Sequence, residues 1–170
     1  MTNDLNSKEE FLKLIQENRK IIFKICNSYC KNRTDREDLA QEIIYQLWRS
    51  FESFDPGYKF STWMYRVALN VAISDYRKVK KKDDTISLDE HLIEIADEND
   101  QNNESENNFR LLQKFINELK ELDRALMLLY LEEKSYREIA DILGITETNA
   151  ATKISRIKEK IKQRFSKINN

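Results

Sequence analysis

Residues 144–165 read GITETNAATKISRIKEKIKQRF. The segment opens on small, uncharged side chains and then turns basic. From Lys153 onward, Lys153, Arg156, Lys158, Lys160, Lys162, Arg164 and Lys167 stand against a single acid, Glu159. Ile154, Ile157, Ile161 and Phe165 recur at spacings of three and four, the period of a helix with one buried stripe. The pattern predicts a helix with an apolar back and a strongly positive front.

The residues just upstream give that helix its context. Tyr136 to Leu143 is a predicted short helix, with Ser135 as its cap and Ile139, Ala140 and Leu143 turned inward. Gly144 supplies the positive φ that ends it, Ile145 packs into the corner, and Thr146 caps the longer helix that follows. A helix, a glycine-containing tight turn and a longer basic helix form the helix-turn-helix signature. Such a unit lays the first turns of its second helix in the major groove of DNA. Thr148, Asn149, Ala151 and Thr152 are short enough to approach base edges. Asn pairs with adenine, and the methyls of Ala and Thr meet the thymine methyl. Lys153, Arg156 and Lys160 are placed to meet phosphates, which fix register rather than sequence. The competing reading is a solvated basic helix in a protein-binding bundle, but the turn chemistry and the charge together favour DNA.

Composition sets the fold class. The chain has 170 residues, only 2 Gly and 1 Pro, and 35% charged residues, which points to an all-α protein large enough for two small domains. No apolar run approaches the ~20 residues needed to span a bilayer. The N-terminus, MTNDLNSKEEF, lacks the basic-then-apolar order of a secretory signal, so a cytoplasmic protein is expected.

The net charge of −1 conceals a segregation. Residues 1–82 hold 16 Lys/Arg and 11 Asp/Glu, residues 83–108 hold no Lys/Arg and 10 Asp/Glu, and residues 109–170 hold 13 and 9. Two basic helical domains are thus joined by an acidic linker. The linker is poor in aromatics, with a short apolar insert at Ile86, Leu88, Leu92, Ile93 and Ile95. The segment charges, rather than the whole-chain balance, bear on a nucleic-acid partner.

In the first domain, KEEFLKLIQENRKIIFKICNSYC predicts an amphipathic helix broken near Glu17 to Lys20. Thr34 or Asp35 is the expected cap of a helix that turns Leu39, Ile43, Leu47 and Phe51 inward. DPG at 55–57 is the sharpest turn signal, and Ser61 or Thr62 is expected to cap the helix after it. Past residue 108, a helix or two should bury Leu111, Leu112, Phe115, Ile116, Leu119, Leu122 and Leu126. Cys26 and Cys30 share a helix face and would make half of a metal site. Further ligands are hard to find, since His91 is the only histidine and lies in the acidic stretch. Two reduced thiols near a core is the better reading. The chain shows no nucleophile–histidine constellation, phosphate-binding glycine loop or metal cluster, so no enzyme activity and no cofactor are expected.

DREDLAQEIIYQLWRSFESFDPGYKFSTWMYRVALNVAISDYRK, residues 35–78, resembles region 2 of bacterial RNA polymerase sigma factors, most nearly the small two-domain extracytoplasmic-function group. ELDRALMLLYLEEKSYREIADILGITETNAATKISRIKEKI, residues 121–161, resembles region 4. The resemblance runs over about 8–82 and 109–166. It implies an initiation factor that binds core RNA polymerase and directs it to promoters, with 1–82 handling polymerase and the minus-10 element and 109–170 the minus-35 duplex.

Residue by residue, the resemblance implies that Asp38, Leu39, Gln41 and Glu42 dock on polymerase. Asp38 and Glu42 lie one turn apart on one face, suited to a basic partner. Trp48 is either an interface anchor or a core residue. Arg66, Asn70, Arg77 and Lys78 are implied to hold the melted minus-10 strand, with Lys80–Lys82 following its backbone. The preceding loop, Phe51 to Lys59, would cradle an extruded base, with Tyr58 as a contact; Trp63 either stacks on a base or packs in the core. Thr148, Asn149, Thr152, Lys153 and Arg156 are implied to meet the minus-35 duplex. The linker either enters the RNA path or serves as a solvated spacer.

Many relatives start the recognition helix with a serine–glutamate–glycine–threonine pattern and then a basic residue. Here Thr146, Glu147, Thr148 and Asn149 are followed by Ala151 at the basic position, so the relatives' base preference does not transfer. No appended sensory domain is expected after Phe165. The implied partners are core RNA polymerase and promoter DNA, with an anti-sigma factor as a further partner the sequence does not itself reveal. A monomer is expected. The alternatives are a dimeric regulator that grips palindromic duplex DNA without polymerase, and an anti-sigma-like interaction module, which the basic recognition helix argues against.

Overall fold

Apolar residues at helical spacing, with almost no Gly or Pro to interrupt them, fold into eight α-helices and one 3-10 turn in the residues described. The computed structural model describes residues 2–83 and 104–170, and no strand occurs among them. The helices are α1 (Thr2–Glu17), α2 (Arg19–Tyr29), α3 (Arg33–Ser50), α4 (Phe60–Asp83), α5 (Glu104–Asn117), α6 (Glu121–Leu131), α7 (Tyr136–Leu143) and α8 (Glu147–Asn169), with the 3-10 turn at Phe51–Ser53. The apolar insert expected at Ile86–Ile95, and His91, lie outside the described residues. The acidic stretch gives way to helix at Glu104, so α5 takes its first turn from it.

The break expected between Glu17 and Lys20 falls at Asn18, whose backbone leaves the helical region at φ −113° and ψ 16°. Its side chain donates to the Leu14 carbonyl at 2.9 Å, tying α1 to the start of α2. The cap of α3 is Asn32, not Thr34 or Asp35. Its Oδ1 accepts from the Asp35 N–H at 2.8 Å, while its Nδ2 donates to the Asp35 carboxylate at 2.7 Å. Thr34 and Asp35 are cap-type residues too, and Asn32 wins because it alone is extended, at φ −110° and ψ 162°. Ser61 and Thr62 fall inside α4 rather than ahead of it, because the helix begins at Phe60.

Ile25, Ile43, Leu47, Met64 and Leu69 are fully buried where α2, α3 and α4 pack; Leu126, Leu129, Ile139, Ile142 and Ile154 do the same for α6, α7 and α8. Of the residues expected inside the second half, Phe115, Ile116 and Leu126 are buried; Leu111, Leu112, Leu119 and Leu122 are only half-buried. Each fully buried aliphatic side chain contributes about 1.5–3 kcal/mol of apolar transfer. The two halves do not stand apart. Their buried residues form one contiguous cluster, with α2 and α4 packed on α6 and α4 also on α7.

Cys26 is buried and Cys30 half-buried, and both are free thiols. Burial pushes them up to about 12 and about 11 respectively, so neither is a thiolate at neutral pH. Among the described residues no group of His, Cys, Asp and Glu is arranged to hold a metal, and no helix is long and apolar enough to cross a membrane.

Candidate functional site

The helix-turn-helix is built by its caps. Ser135 Oγ accepts from the Glu138 N–H at 3.1 Å and the Glu138 carboxylate accepts from the Ser135 N–H at 3.0 Å, a reciprocal box that starts α7. That backbone hydrogen bond holds the Glu138 carboxyl below its usual range. Gly144 ends α7 at φ +68°, and its N–H donates to the Ala140 carbonyl at 2.9 Å. A Cβ there would meet nothing within 4 Å, so glycine is required by the backbone angle, not by space. Thr146 Oγ1 then accepts from the Asn149 N–H at 3.1 Å and launches α8. Ile139, Ala140, Ile154 and Ile157 are buried as expected, and Ile142 and Ala150, which the sequence reading omitted, join them.

Thr148, Asn149, Thr152 and Arg156 point to solvent in the first turns of α8, and Lys153 is half-buried beside them. The basic front divides into two parts. Lys158 donates to the Tyr130 hydroxyl at 3.0 Å, a bond that raises its pKa, and its ammonium lies 5.0 Å from the centre of that ring. Arg164 pairs with Glu118 of α5 and stands over the Phe115 ring at 4.1 Å. Lys158 and Arg164 therefore fasten α8 to its own domain, while Arg156 at the front and Lys160, Lys162 and Lys167 behind it face outward.

In α4, Arg66, Asn70, Arg77, Lys78, Lys80 and Lys81 are all exposed, with Arg66, Asn70 and Arg77 spaced along one side. The loop before α4 closes on itself. The Gly57 N–H donates to Asp55 Oδ1 at 2.9 Å and the Tyr58 N–H to the Asp55 carbonyl at 3.0 Å, leaving Tyr58 71% exposed at the tip. Trp63 is half-buried among aromatic rings, with centroids 5.1 Å from Phe54, 5.4 Å from Phe60 and 6.3 Å from Phe51. Of the two roles left open for Trp63, packing is the one whose partners are visible. This box supports the loop from beneath.

In α3, Asp38, Gln41, Glu42 and Trp48 face solvent, together with Ile44 and Tyr45. Leu39 does not. It is buried at 3% exposure, so the polymerase contact expected of it is corrected: one residue past Asp38 is a turn of about 100°, which carries the side chain into the core. Trp48 is 42% exposed and meets Phe11 of α1 edge-on at 5.0 Å. Beside it runs an apolar groove lined by Lys8, Phe11, Leu12, Gln41, Ile44, Tyr45 and Trp48. The contribution of α1 was missed: Leu12, one residue past the buried Phe11, lies off the inward stripe and is 55% exposed.

Asp75 of α4 was missed as well. Partial burial raises its pKa, aided by Asp35, Glu42 and Asp38, so these four carboxylates share one patch. Because its folded pKa lies above the ordinary 3.8, ionisation of Asp75 opposes folding, and that cost appears as pH rises through the interval between the two values. Asp75→Asn should therefore raise the melting temperature at pH 7 and leave it unchanged at pH 3, by thermal denaturation at both.

The comparisons complete this geometry. Residues 14–82 match the family model for Sigma-70 region 2, and residues 109–161 match that for Sigma-70 region 4. The chain belongs to the extracytoplasmic-function sigma factors of RNA polymerase. It is 29% identical over 169 residues to the ECF RNA polymerase sigma factor SigW of Bacillus subtilis, covering 93% of this chain and 90% of that protein. It is 28% identical to SigM of the same organism, over 86% of this chain and 89% of that one. Among solved structures, CnrH in complex with the cytosolic domain of CnrY matches with a TM-score of 0.67 at 18% identity, covering 94% and 89%. The sigma factor RpoE of Bartonella quintana, in complex with the anti-sigma factor NepR, matches at 0.64 and 20%, covering 94% and 96%. As a sigma factor the chain directs RNA polymerase to promoters, and its exposed polar clusters are the places to look for how.

Proposed function

We propose that the three exposed clusters divide the work of one promoter. The acidic face of α3, with Asp38, Gln41 and Glu42, and Trp48 at its far end, engages core polymerase. Arg66, Asn70, Arg77 and Lys78 of α4, with Tyr58 of the loop and with Trp63 beneath that loop, hold the melted minus-10 strand. Thr148, Asn149, Thr152, Lys153 and Arg156 of α8 read the minus-35 duplex. One observation carries this reading: the short base-reaching side chains Thr148, Asn149 and Thr152 are concentrated in the first turns of α8, with the cations Lys153 and Arg156 beside them.

Region 2 holds a single strand by backbone charge and base-sized pockets, because an unstacked base no longer offers a groove to read. Region 4 reads an intact duplex, for which a helix in the major groove suffices. An anti-sigma factor is proposed as a further partner, supported by the two sigma-factor structures cited above, both of which are complexes. The protein is proposed to act as a monomer in the cytoplasm, and not as an enzyme.

Promoter selection with core polymerase on a genomic DNA library tests the proposal. Asn149→Ala should shift the preferred minus-35 bases. Lys153→Ala or Arg156→Ala should instead weaken binding about equally on every sequence and lower the salt dependence by about one phosphate contact. A uniform loss from Asn149→Ala would remove it from base reading.

A further inference from the structure

Helix α2 has a solvent face that neither the core nor the contacts proposed above account for. Its inward stripe is Ile22, Ile25, Cys26 and Tyr29, all buried. The other side carries Arg19, Lys20, Phe23, Lys24 and Asn27, and each of them is exposed. At about 100° per residue, Arg19, Lys20 and Asn27 fall within about 60° of Phe23, so these four share one strip. Phe23 is 69% exposed, on a helix whose core stripe is filled without it.

The charge on this strip has one sign. The segment RKIIFKICNSY holds Arg19, Lys20 and Lys24 and no acid. Lys24, at the edge of the strip, pairs with Glu132 at 2.6 Å. Arg19 and Lys20 make no ion pair with another of the described residues. Lys31, just past the end of the helix, is exposed as well. The rings of Phe54, Phe60 and Trp63 lie with centroids 5.1–5.5 Å apart. Phe23 instead stands among cations and an amide.

That surroundings-and-ring combination suits one kind of partner. A single strand needs cations for its phosphates and a flat ring for an unstacked base. Duplex DNA keeps its base faces inside the stack, where an exposed ring cannot lie on them. A partner protein is fitted by contiguous apolar surface, such as the groove between α1 and α3. Position agrees with the chemistry. Helix α2 packs directly on α4, with the Tyr29 and Tyr76 ring centres 6.0 Å apart, and packed helix axes lie ~8–10 Å from one another. Opening of a promoter therefore releases single-stranded DNA close to this face.

We propose that the outer strip of α2 is a platform for single-stranded DNA from the opened promoter. Phe23 stacks on one base, Arg19 and Lys20 meet the phosphates beside it, and Asn27 offers its amide to a base edge. The platform is additional to the contacts proposed for α4 and does not depend on them.

The test is binding of the full chain to a labelled 20-nucleotide oligothymidine, followed by fluorescence anisotropy between about 50 and 200 mM salt. Phe23→Leu keeps apolar bulk and removes the ring, and should weaken binding at least fivefold. Arg19→Gln with Lys20→Gln should reduce the slope of log affinity against log salt by about 1.4, the share of two single-strand phosphates. A control with Lys8→Gln and Lys13→Gln, both exposed on α1, makes the same change in net charge and should move the slope far less. Helical circular dichroism and the melting temperature should match the wild type in all three, since every substituted side chain is exposed. Arg66→Gln, measured alongside, reports on α4 alone. Wild-type affinity in Phe23→Leu, or a slope change no larger than the control's, overturns the proposal. Tighter binding of oligouridine than of oligothymidine overturns it in favour of RNA, and a wild type with no affinity for either overturns it in favour of a protein partner.

Discussion

Replacing Asp38 and Glu42 together by alanine should weaken the hold on core RNA polymerase at least tenfold, about 1.4 kcal/mol or more. Both carboxylates face solvent one turn apart on α3, in a patch that also contains Asp35 and Asp75. The opposite side of the helix, Leu39, Ile43 and Leu47, carries the packing and is untouched. Within the free protein the substitutions sacrifice little: Glu42 accepts one hydrogen bond from Gln46 at 2.9 Å, on an exposed surface. Charged pairs that become desolvated in an interface are worth more than exposed ones, because loss of one partner leaves the other buried and unpaired. Helical circular dichroism should therefore be unchanged while affinity, measured by titration against labelled core enzyme, falls. Wild-type affinity in the double variant would move the polymerase contact elsewhere, with the apolar groove between α1 and α3 the next surface to examine.

Ile139→Ala should have a comparably large effect, on stability instead of binding. Ile139 has no exposed surface and lies in the short α7, which packs on α4, α6 and α8 at once. Truncating a fully buried Ile costs about 2–5 kcal/mol, because the cavity left behind collapses only in part. A helix of only eight residues has little stability of its own, so the loss should appear as disorder of the whole helix-turn-helix. Thermal denaturation should show the drop, and transcription that depends on the minus-35 element should fall with it. Ile139→Val, which removes one methylene, should cost about 0.5–1.5 kcal/mol and retain activity. Equal losses from both substitutions would mean that packing volume is not what Ile139 supplies.

Some of this was legible in the sequence for identifiable reasons. Ser135, Gly144 and Thr146 each have a conformation that few residue types fill, so the helix-turn-helix could be placed to within a residue. The break at Asn18 was foreshadowed by a lapse in the apolar period. Leu39 teaches a different lesson. Its spacing with Ile43 and Leu47 placed it inside, whereas family resemblance placed it at the polymerase contact, and the structure agrees with the spacing.

What stayed hidden depends on contacts between distant parts of the chain. Arg124 sits in the run ELDRALMLLYL and gives no sign that it is buried against the Ser28 carbonyl. Lys158 and Arg164 looked identical to Lys153 and Arg156 until Tyr130 and Glu118 were found beside them. Glu133 takes φ +59° after α6, a position where glycine would have announced the turn and glutamate did not. Asp75 is distinguished by its partial burial and by carboxylates of another helix.

Direct titration of the purified chain into core RNA polymerase, followed by addition of promoter DNA, tests the central claim most directly. The division of labour set out here predicts a stable one-to-one complex with polymerase that selects promoters, and only weak binding to duplex DNA without it. A chain that ignores polymerase yet binds double-stranded operators tightly on its own, as a pair, would contradict it.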